Sequence, residues 1–221
     1  MSNRSIHTLL KNWDEECPLT REEAVEVLNL PEEEMDSLME CAYALRTKYK
    51  GKKVSVQLLT NVRSGNCTQN CAYCAQSKDS QAEIEKYKRV SDEKLYGDND
   101  LVDEKHLARH CIGLSGIGFS DEEIEDLADR IREMKKKDTQ ICCSIGFLTE
   151  KQARILKDAG LDRINHNLNS SRSFYPEICT THTYDQRVNN IKMLQSLGFE
   201  ICSGGIVGMG ESKEDIVDML M

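Results

Sequence analysis

The sequence predicts an α/β fold, a TIM-type (β/α) barrel built from about five β/α units and therefore incomplete, preceded by a helical extension. Three observations lead there. Short apolar runs alternate strictly with amphipathic segments from about residue 51 onward, which is the pattern of a parallel sheet joined by helical crossovers. The amphipathic segments carry explicit start signals. No G-x-G-x-x-G follows the first apolar run, so the main reason to prefer a doubly wound dinucleotide fold is missing.

Residues 1–50 read as the separate helical extension, and residues 51–221 as the barrel portion. In the extension, Thr20 with Glu23 forms a capping box ahead of Ala24, Val25, Val27 and Leu28. Pro31 suits the first turn of a second helix, which Gly51 stops. The strands follow at Val54 to Leu59, His110 to Leu114, Gln140 to Ile145, Arg163 to Leu168 and Glu200 to Val207. Between them, Ser120 with Glu123, Thr149 with Gln152 and Thr183 with Gln186 mark helix starts, and Gly160 and Gly198 mark stops. The first crossover is the exception. Tyr96-Gly-Asp-Asn-Asp100 sets turn formers where a helix belongs and predicts a broken one.

Composition narrows the function. At 221 residues the chain can bury a real core, and 30% charged with 39% hydrophobic residues is ordinary for a globular protein. A net charge of -9 argues against nucleic acid, because phosphate neutralisation calls for clustered Lys and Arg. The run Lys135-Lys136-Lys137 closes a predicted helix, where cations belong. The N-terminal residues lack an apolar signal core and no run is long enough to span a bilayer, so a cytosolic location is expected. Ten cysteines in a reducing compartment then point to metal ligation rather than disulfides.

Cys67, Cys71 and Cys74 have a C-x3-C-x2-C spacing. Thiolates are soft ligands suited to iron–sulfur clusters, and electron-carrying clusters usually take four. Three would leave one iron of a four-iron cluster open to a small molecule. A structural zinc site or three free thiols are the other readings, but zinc usually needs a second ligand pair, and no such pair follows.

Period-two alternation assigns strand faces. Cys111, Gly113 and Ser115 share one face of the second strand, Cys142, Ser144 and Gly146 one face of the third, and Asn165, Asn167 and Asn169 one face of the fourth. The opposite faces are apolar and should meet the helices. An inward face this small and polar implies an interior that holds something, because barrel interiors are commonly packed with branched aliphatics. Cys111, Cys142 and Cys202 all fall on it and could converge on a second cluster, although buried cysteine also serves as a small hydrophobe. Parity excludes Cys143. Cys17, Cys41 and Cys179 fit no pattern and read as ordinary thiols, and His166 reads as a core histidine turned to the helix layer. The glycine-rich run from Cys202 to Glu211 lets backbone approach a ligand closely.

These strings resemble the radical S-adenosylmethionine (SAM) superfamily, and within it the biotin synthases. The matching text is Ser64-Gly-Asn-Cys-Thr-Gln-Asn-Cys-Ala-Tyr-Cys-Ala-Gln-Ser77, Asn165-His-Asn-Leu-Asn169, Thr180-Thr-His-Thr-Tyr184 and Cys202-Ser-Gly-Gly-Ile-Val-Gly-Met-Gly-Glu211. The resemblance implies a [4Fe-4S] cluster on Cys67, Cys71 and Cys74, with SAM on the fourth iron. It places Tyr73, Asn167, Asn169, Arg187, Gly204, Ile206, Gly208 and Glu211 around SAM, and Asn165 and Asn167 at the substrate. Cys111, Cys142 and Cys202 would hold an auxiliary cluster of the [2Fe-2S] type that donates sulfur. The implied reaction is hydrogen abstraction from dethiobiotin by a 5′-deoxyadenosyl radical followed by sulfur insertion, with a flavodoxin- or ferredoxin-type electron donor and a homodimeric assembly. The resemblance also implies further strands and a late arginine ligand that this sequence does not contain. A truncated, inactive iron–sulfur protein or a relative with another substrate is the alternative expectation.

Overall fold

The computed structural model describes residues 19–221, so Cys17 lies outside the described residues. The chain divides into two compact units, residues 55–209 and a helical unit of residues 19–54 with 210–221.

In the helical unit, α1 (Arg21–Leu28) starts at the Thr20–Glu23 capping box, and α2 (Met35–Lys50) ends where Gly51 turns with φ 63°. The last helix, α8 (Lys213–Leu220), is capped by Ser212 and packs on α1, with Arg21 donating to Asp218 at 2.5 Å and 3.0 Å and Lys213 to Asn29 at 2.7 Å.

The larger unit is an open sheet of five parallel strands in sequence order: β1 (Gln57–Arg63), β2 (Arg109–Leu114), β3 (Ile141–Ser144), β4 (Arg163–Asn165) and β5 (Glu200–Cys202). Helices α3 (Asp92–Glu104), α4 (Asp121–Met134), α5 (Glu150–Asp158), the short α6 (Tyr175–Ile178) and α7 (Tyr184–Ser196) lie in the connections. It is the α/β arrangement of a partial barrel.

The pairing register fixes which side chains share a face. One row runs Thr60, Ile112, Cys143, Ile164, Ile201; the first four are buried and the last is half-buried. Most of this row belongs to the core that Ile124, Leu127, Ile131, Leu156 and Leu194 complete from α4, α5 and α7. The alternate rows, Leu59-Cys111-Cys142-Arg163-Glu200 and Asn61-Gly113-Ser144-Asn165-Cys202, occupy the other face.

Two expectations need correcting. The stretch Tyr96 to Asp100 lies inside the continuous helix α3, which Ser91 caps. Leu95 and Val102 bury against the core, Lys94 pairs with Asp98 one turn on, and buried Asn99 donates to Met134 O at 3.2 Å while its carbonyl faces His110 Nδ1 at 3.2 Å. Tertiary contacts thus outweigh the weak helix propensity of Gly, Asp and Asn. The strands are also displaced. The first starts at Gln57 and runs on through Asn61 and Arg63, leaving Val56 exposed, while the fourth and fifth stop after three residues, and farther on Asn169 turns with φ 71° and makes an isolated bridge to Gly205.

Candidate functional site

At the C-terminal end of the sheet the chain leaves β1 through Gly65 and Asn66, both left-handed with φ 71° and 54°, and swings into the cysteine loop. Only glycine and, less readily, asparagine take this conformation at low cost. Gly65 N–H donates to Gln76 Oε1 at 2.7 Å, and its carbonyl accepts from Ser115 Oγ at 2.6 Å. Within the loop, Cys74 N–H donates to Cys71 O at 3.1 Å and Lys78 N–H to Gln69 O at 3.0 Å.

The loop is bolted to the segment after α6. Ala72 N–H donates to Ile178 O at 2.9 Å. Asn70 Oδ1 accepts from Thr180 N–H at 3.1 Å, Thr181 N–H at 3.3 Å and Thr181 Oγ1 at 3.0 Å, while Asn70 Nδ2 donates to Thr180 Oγ1 at 2.7 Å. The matching string Thr180 to Tyr184 therefore begins as a buttress for the cysteines.

Cys67, Cys71 and Cys74 line one cavity of about 240 Å³, together with Tyr73, Asn165, His166, Asn167, Asn169, His182 and Arg187. Ser115, Gly116 and Gly146 close it from the ends of β2 and β3; a Cβ on Gly146 would sit 2.4 Å from Ile117 O, so that approach requires glycine. Arg187 donates to Tyr175 Oη at 2.6 Å, to Asn167 O at 3.0 Å and to His182 Nε2 at 2.9 Å, which fixes its guanidinium at the cavity wall.

Electrostatics follow from burial. Burial, then the neighbouring Cys179, push the Cys71 thiol up to about 12. Tyr73 is raised by burial and by Cys71, so its phenol stays protonated. His166 and His182 are both lowered to about 4, by burial first and Arg187 second, and are neutral at pH 7. A buried thiol of high pKa becomes a thiolate only when a metal displaces its proton.

His166 differs from the expected core histidine. It lines the cavity at 2% exposure, its ring is 5.3 Å from Phe147, and its polar neighbour is the Ile145 backbone, with no well-formed side-chain hydrogen bond to either ring nitrogen. Strand parity fails there because β4 ends at Asn165, one residue earlier. Buried polar groups are normally satisfied, so a ring this weakly partnered at a cavity wall has hydrogen-bonding capacity to offer a ligand. Three soft sulfur donors on one wall, with a cation and a neutral imidazole on others, make a donor set that fits an iron–sulfur cluster carrying a small zwitterion.

Cys111, Cys142 and Cys202 share the inward face. Cys111 is directly opposite Cys142, and Cys202 is one row nearer the cavity, opposite Asn165. Cys142 is pushed up to about 12 by burial and by the negative charge that Cys111 and Cys202 would bring. Cys111 is likewise raised by burial, with Arg109 pulling the other way. Asn165 connects the two groups: it lines the cavity and its Nδ2 lies 3.8 Å from Cys202 Sγ. Cys143 is fully buried on the helix side.

The glycine-rich segment is placed less centrally. Asn169 N–H donates to Gly204 O at 3.0 Å and Ile206 N–H to Asn169 O at 2.9 Å, which sets Gly204 and Ile206 beside the asparagine ladder but outside the cavity lining. Gly208 turns with φ 99°, and Glu211 belongs to the other compact unit. Cys179, read from sequence as an ordinary thiol, is buried with its Sγ 3.8 Å from Cys71 Sγ. Only the sheet and loop topology brings these two together, across 108 residues.

Comparison with known proteins agrees with this architecture. Biotin synthase from Geobacillus kaustophilus (strain HTA426) is 41% identical over 202 residues, covering 91% of this chain and 61% of its own length. Biotin synthase from Bacillus subtilis (strain 168) is also 41% identical, with 91% and 60% covered. The chain thus spans about three fifths of the curated relatives it matches. Among solved structures, methylornithine synthase (PylB) superposes with a TM-score of 0.83 at 17% identity, over 96% of this chain and 61% of that one. The [FeFe]-hydrogenase maturase HydG gives 0.79 at 19%, over 96% and 48%. At such identities these two establish the fold alone. The family model of the radical SAM superfamily matches residues 61–221, from the last turns of β1 through the cysteine loop to the end, and the chain belongs to that superfamily.

Proposed function

We propose that this chain carries the cluster- and SAM-binding portion of a biotin synthase-type sulfurtransferase acting on dethiobiotin. Membership in the superfamily implies a [4Fe-4S] cluster and SAM. The sulfur-inserting assignment is finer, and one observation supports it: Cys111, Cys142 and Cys202 lie on the inward face directly below the cavity lined by Cys67, Cys71 and Cys74, with Asn165 touching both groups.

When bound, the four-iron cluster would supply the electron that cleaves the SAM sulfonium, and an auxiliary cluster, taken to be of the [2Fe-2S] type, would supply sulfur. The protein's part is positional. Cys67, Cys71 and Cys74 would hold the first cluster from one loop. Arg187, fixed by Tyr175 and His182, sets a cation at the wall where a carboxylate is to be received. Asn167, Asn169 and Tyr73 offer amides and a phenol to SAM, and Asn165 offers its amide to the substrate. The backbone of Gly204, Ile206 and Gly208 would border the adenine. A flavodoxin- or ferredoxin-type protein would deliver the electron.

Anaerobic reconstitution followed by iron and sulfide analysis tests the reading. Appreciably more than about four irons per chain is expected, falling to about four in Cys142→Ala. With SAM and a reductant, 5′-deoxyadenosine should rise when dethiobiotin is added. Four irons in the wild type and release indifferent to dethiobiotin would favour a radical SAM chain with another substrate; no release at all would favour a binding protein without turnover. Either result overturns the assignment.

A further inference from the structure

Cys179 has no part in the function proposed above, yet its surroundings are built. Its Sγ lies 3.8 Å from Cys71 Sγ and 3.3 Å from His182 Nδ1, and all three residues are buried. The two cysteine segments cannot drift apart easily, because Ala72 N–H donates to Ile178 O on one side and Asn70 grips Thr180 and Thr181 on the other. Cys71 also lines the cavity, through which a small solute reaches the pair.

Two chemistries fit a Cys-Cys-His triangle whose donor atoms all lie within 4.8 Å. One is a single tetrahedral metal ion: zinc–sulfur bonds of about 2.3 Å place two sulfurs about 3.8 Å apart, as they are here. The histidine argues against it. Arg187, which can only donate, points N–H groups at His182 Nε2 from 2.9 Å and 3.2 Å, so the lone pair of the neutral ring is on Nε2 and its proton on Nδ1. The nitrogen facing Cys179 is therefore a donor, also 3.0 Å from Gln69 Oε1, and not a ligand. Two sulfurs are left, with nothing between them.

We propose that Cys71 and Cys179 form a reversible disulfide in the cluster-free chain, a redox modification site that removes the middle cysteine of the C-x3-C-x2-C loop from ligation. The sulfurs must close from 3.8 Å to about 2.05 Å. A hydroperoxide is the oxidant. One thiol of the pair attacks the peroxide O–O bond, giving a sulfenic acid and one water; the other attacks the sulfenic sulfur and expels the second water. Two thiols thus lose two electrons and two protons, and one hydrogen peroxide becomes two waters. A dithiol reverses the step by two exchanges and leaves as its own disulfide. The consequence for cluster assembly rests on the reading of Cys67, Cys71 and Cys74 as ligands: oxidised chain cannot load, and the locked Cys71 is shielded from irreversible sulfinic acid.

The test uses the full chain, stripped with a chelator and treated anaerobically with one equivalent of hydrogen peroxide. Thiol counting should show two of ten cysteines lost, and peptide mass mapping should find Cys71 joined to Cys179. Dithiothreitol should restore both. Oxidised wild type should take up iron and sulfide at least tenfold less than reduced, and recover after dithiothreitol; in Cys179→Ser, its fold checked by circular dichroism, the same treatment should leave Cys71 out of any disulfide, because one equivalent of peroxide takes a lone thiol only as far as the sulfenic acid. A cross-link of Cys71 to Cys67 or Cys74, an unmodified Cys71, or one tightly held zinc per chain that Cys179→Ser abolishes would each overturn the proposal. The mapping needs neither SAM nor dethiobiotin, so its outcome is separate from that of the turnover assay.

Discussion

Asn70 shows how much one side chain between two cysteines can do. Its amide makes four hydrogen bonds to Thr180 and Thr181, and these couple the cysteine loop to the chain after α6. The group is partly exposed, so water replaces some of what is lost, and Asn70→Ala should cost about 1–2 kcal/mol. The same variant should retain less iron after reconstitution and gel filtration. An unchanged urea midpoint together with full iron retention would sink the idea that this amide orders the loop. Cys143→Ala gives the opposite pattern: its thiol packs against the helices, so the change should cost about 1 kcal/mol in stability and leave iron content at the wild-type level. Loss of iron in that variant would show that the face assignment of β3 is wrong.

At the scale of elements, α3 is where the sequence misleads and the structure explains. Gly97, Asp98, Asn99 and Asp100 are poor helix formers, but Asn99 is at 2% exposure and joins α3 to Met134 O and His110. Asn99→Ala leaves His110 Nδ1 without a partner in the core and the Met134 carbonyl with Lys137 N–H alone. It should lower stability by about 2–3 kcal/mol, measured by urea unfolding at pH 7; a loss under about 0.5 kcal/mol would mean that propensity, not this contact, governs the segment. Strand order, helix caps and the inward placement of Cys111, Cys142 and Cys202 were legible because a period of two and a capping box are local signals. Strand ends were not, since β4 and β5 stop after three residues, at Asn165 and Cys202, within runs whose local pattern continues unchanged. The contact of Cys179 with Cys71 and the position of His166 were hidden for the same reason: both depend on where loops go after the strands end.

Across the molecule as a whole, these buried histidines make stability depend on pH in a direction that can be worked out. His166 and His182 are lowered to about 4 in the folded chain, by burial and by Arg187, whereas an unfolded histidine titrates near its ordinary value of 6.5. Between those values the unfolded chain binds more protons than the folded one, so stability rises with pH there. The contribution is fully present above about pH 6.5 and is lost as the pH falls toward 4. For His166 alone, a shift of this size corresponds to about 2 kcal/mol lost between pH 7 and pH 5, at 1.36 kcal/mol per pH unit. His110, buried and likewise lowered to about 4, adds a third such contribution, so the metal-free chain should unfold at lower urea at pH 5 than at pH 7, and His166→Phe, which keeps a ring beside Phe147 but cannot take a proton, should flatten that dependence by roughly a third. Carboxylates contribute the same sign only at lower pH, since Asp98 and Asp121 are held below the usual carboxylate range by their hydrogen bonds to Lys94 and Lys151 despite partial desolvation, and Arg21 does the same for Asp218. A wild-type midpoint that did not fall between pH 7 and pH 5, or a His166→Phe chain with undiminished slope, would show that the ring is protonated in the folded state and that Arg187 does not govern the charge at the cavity wall.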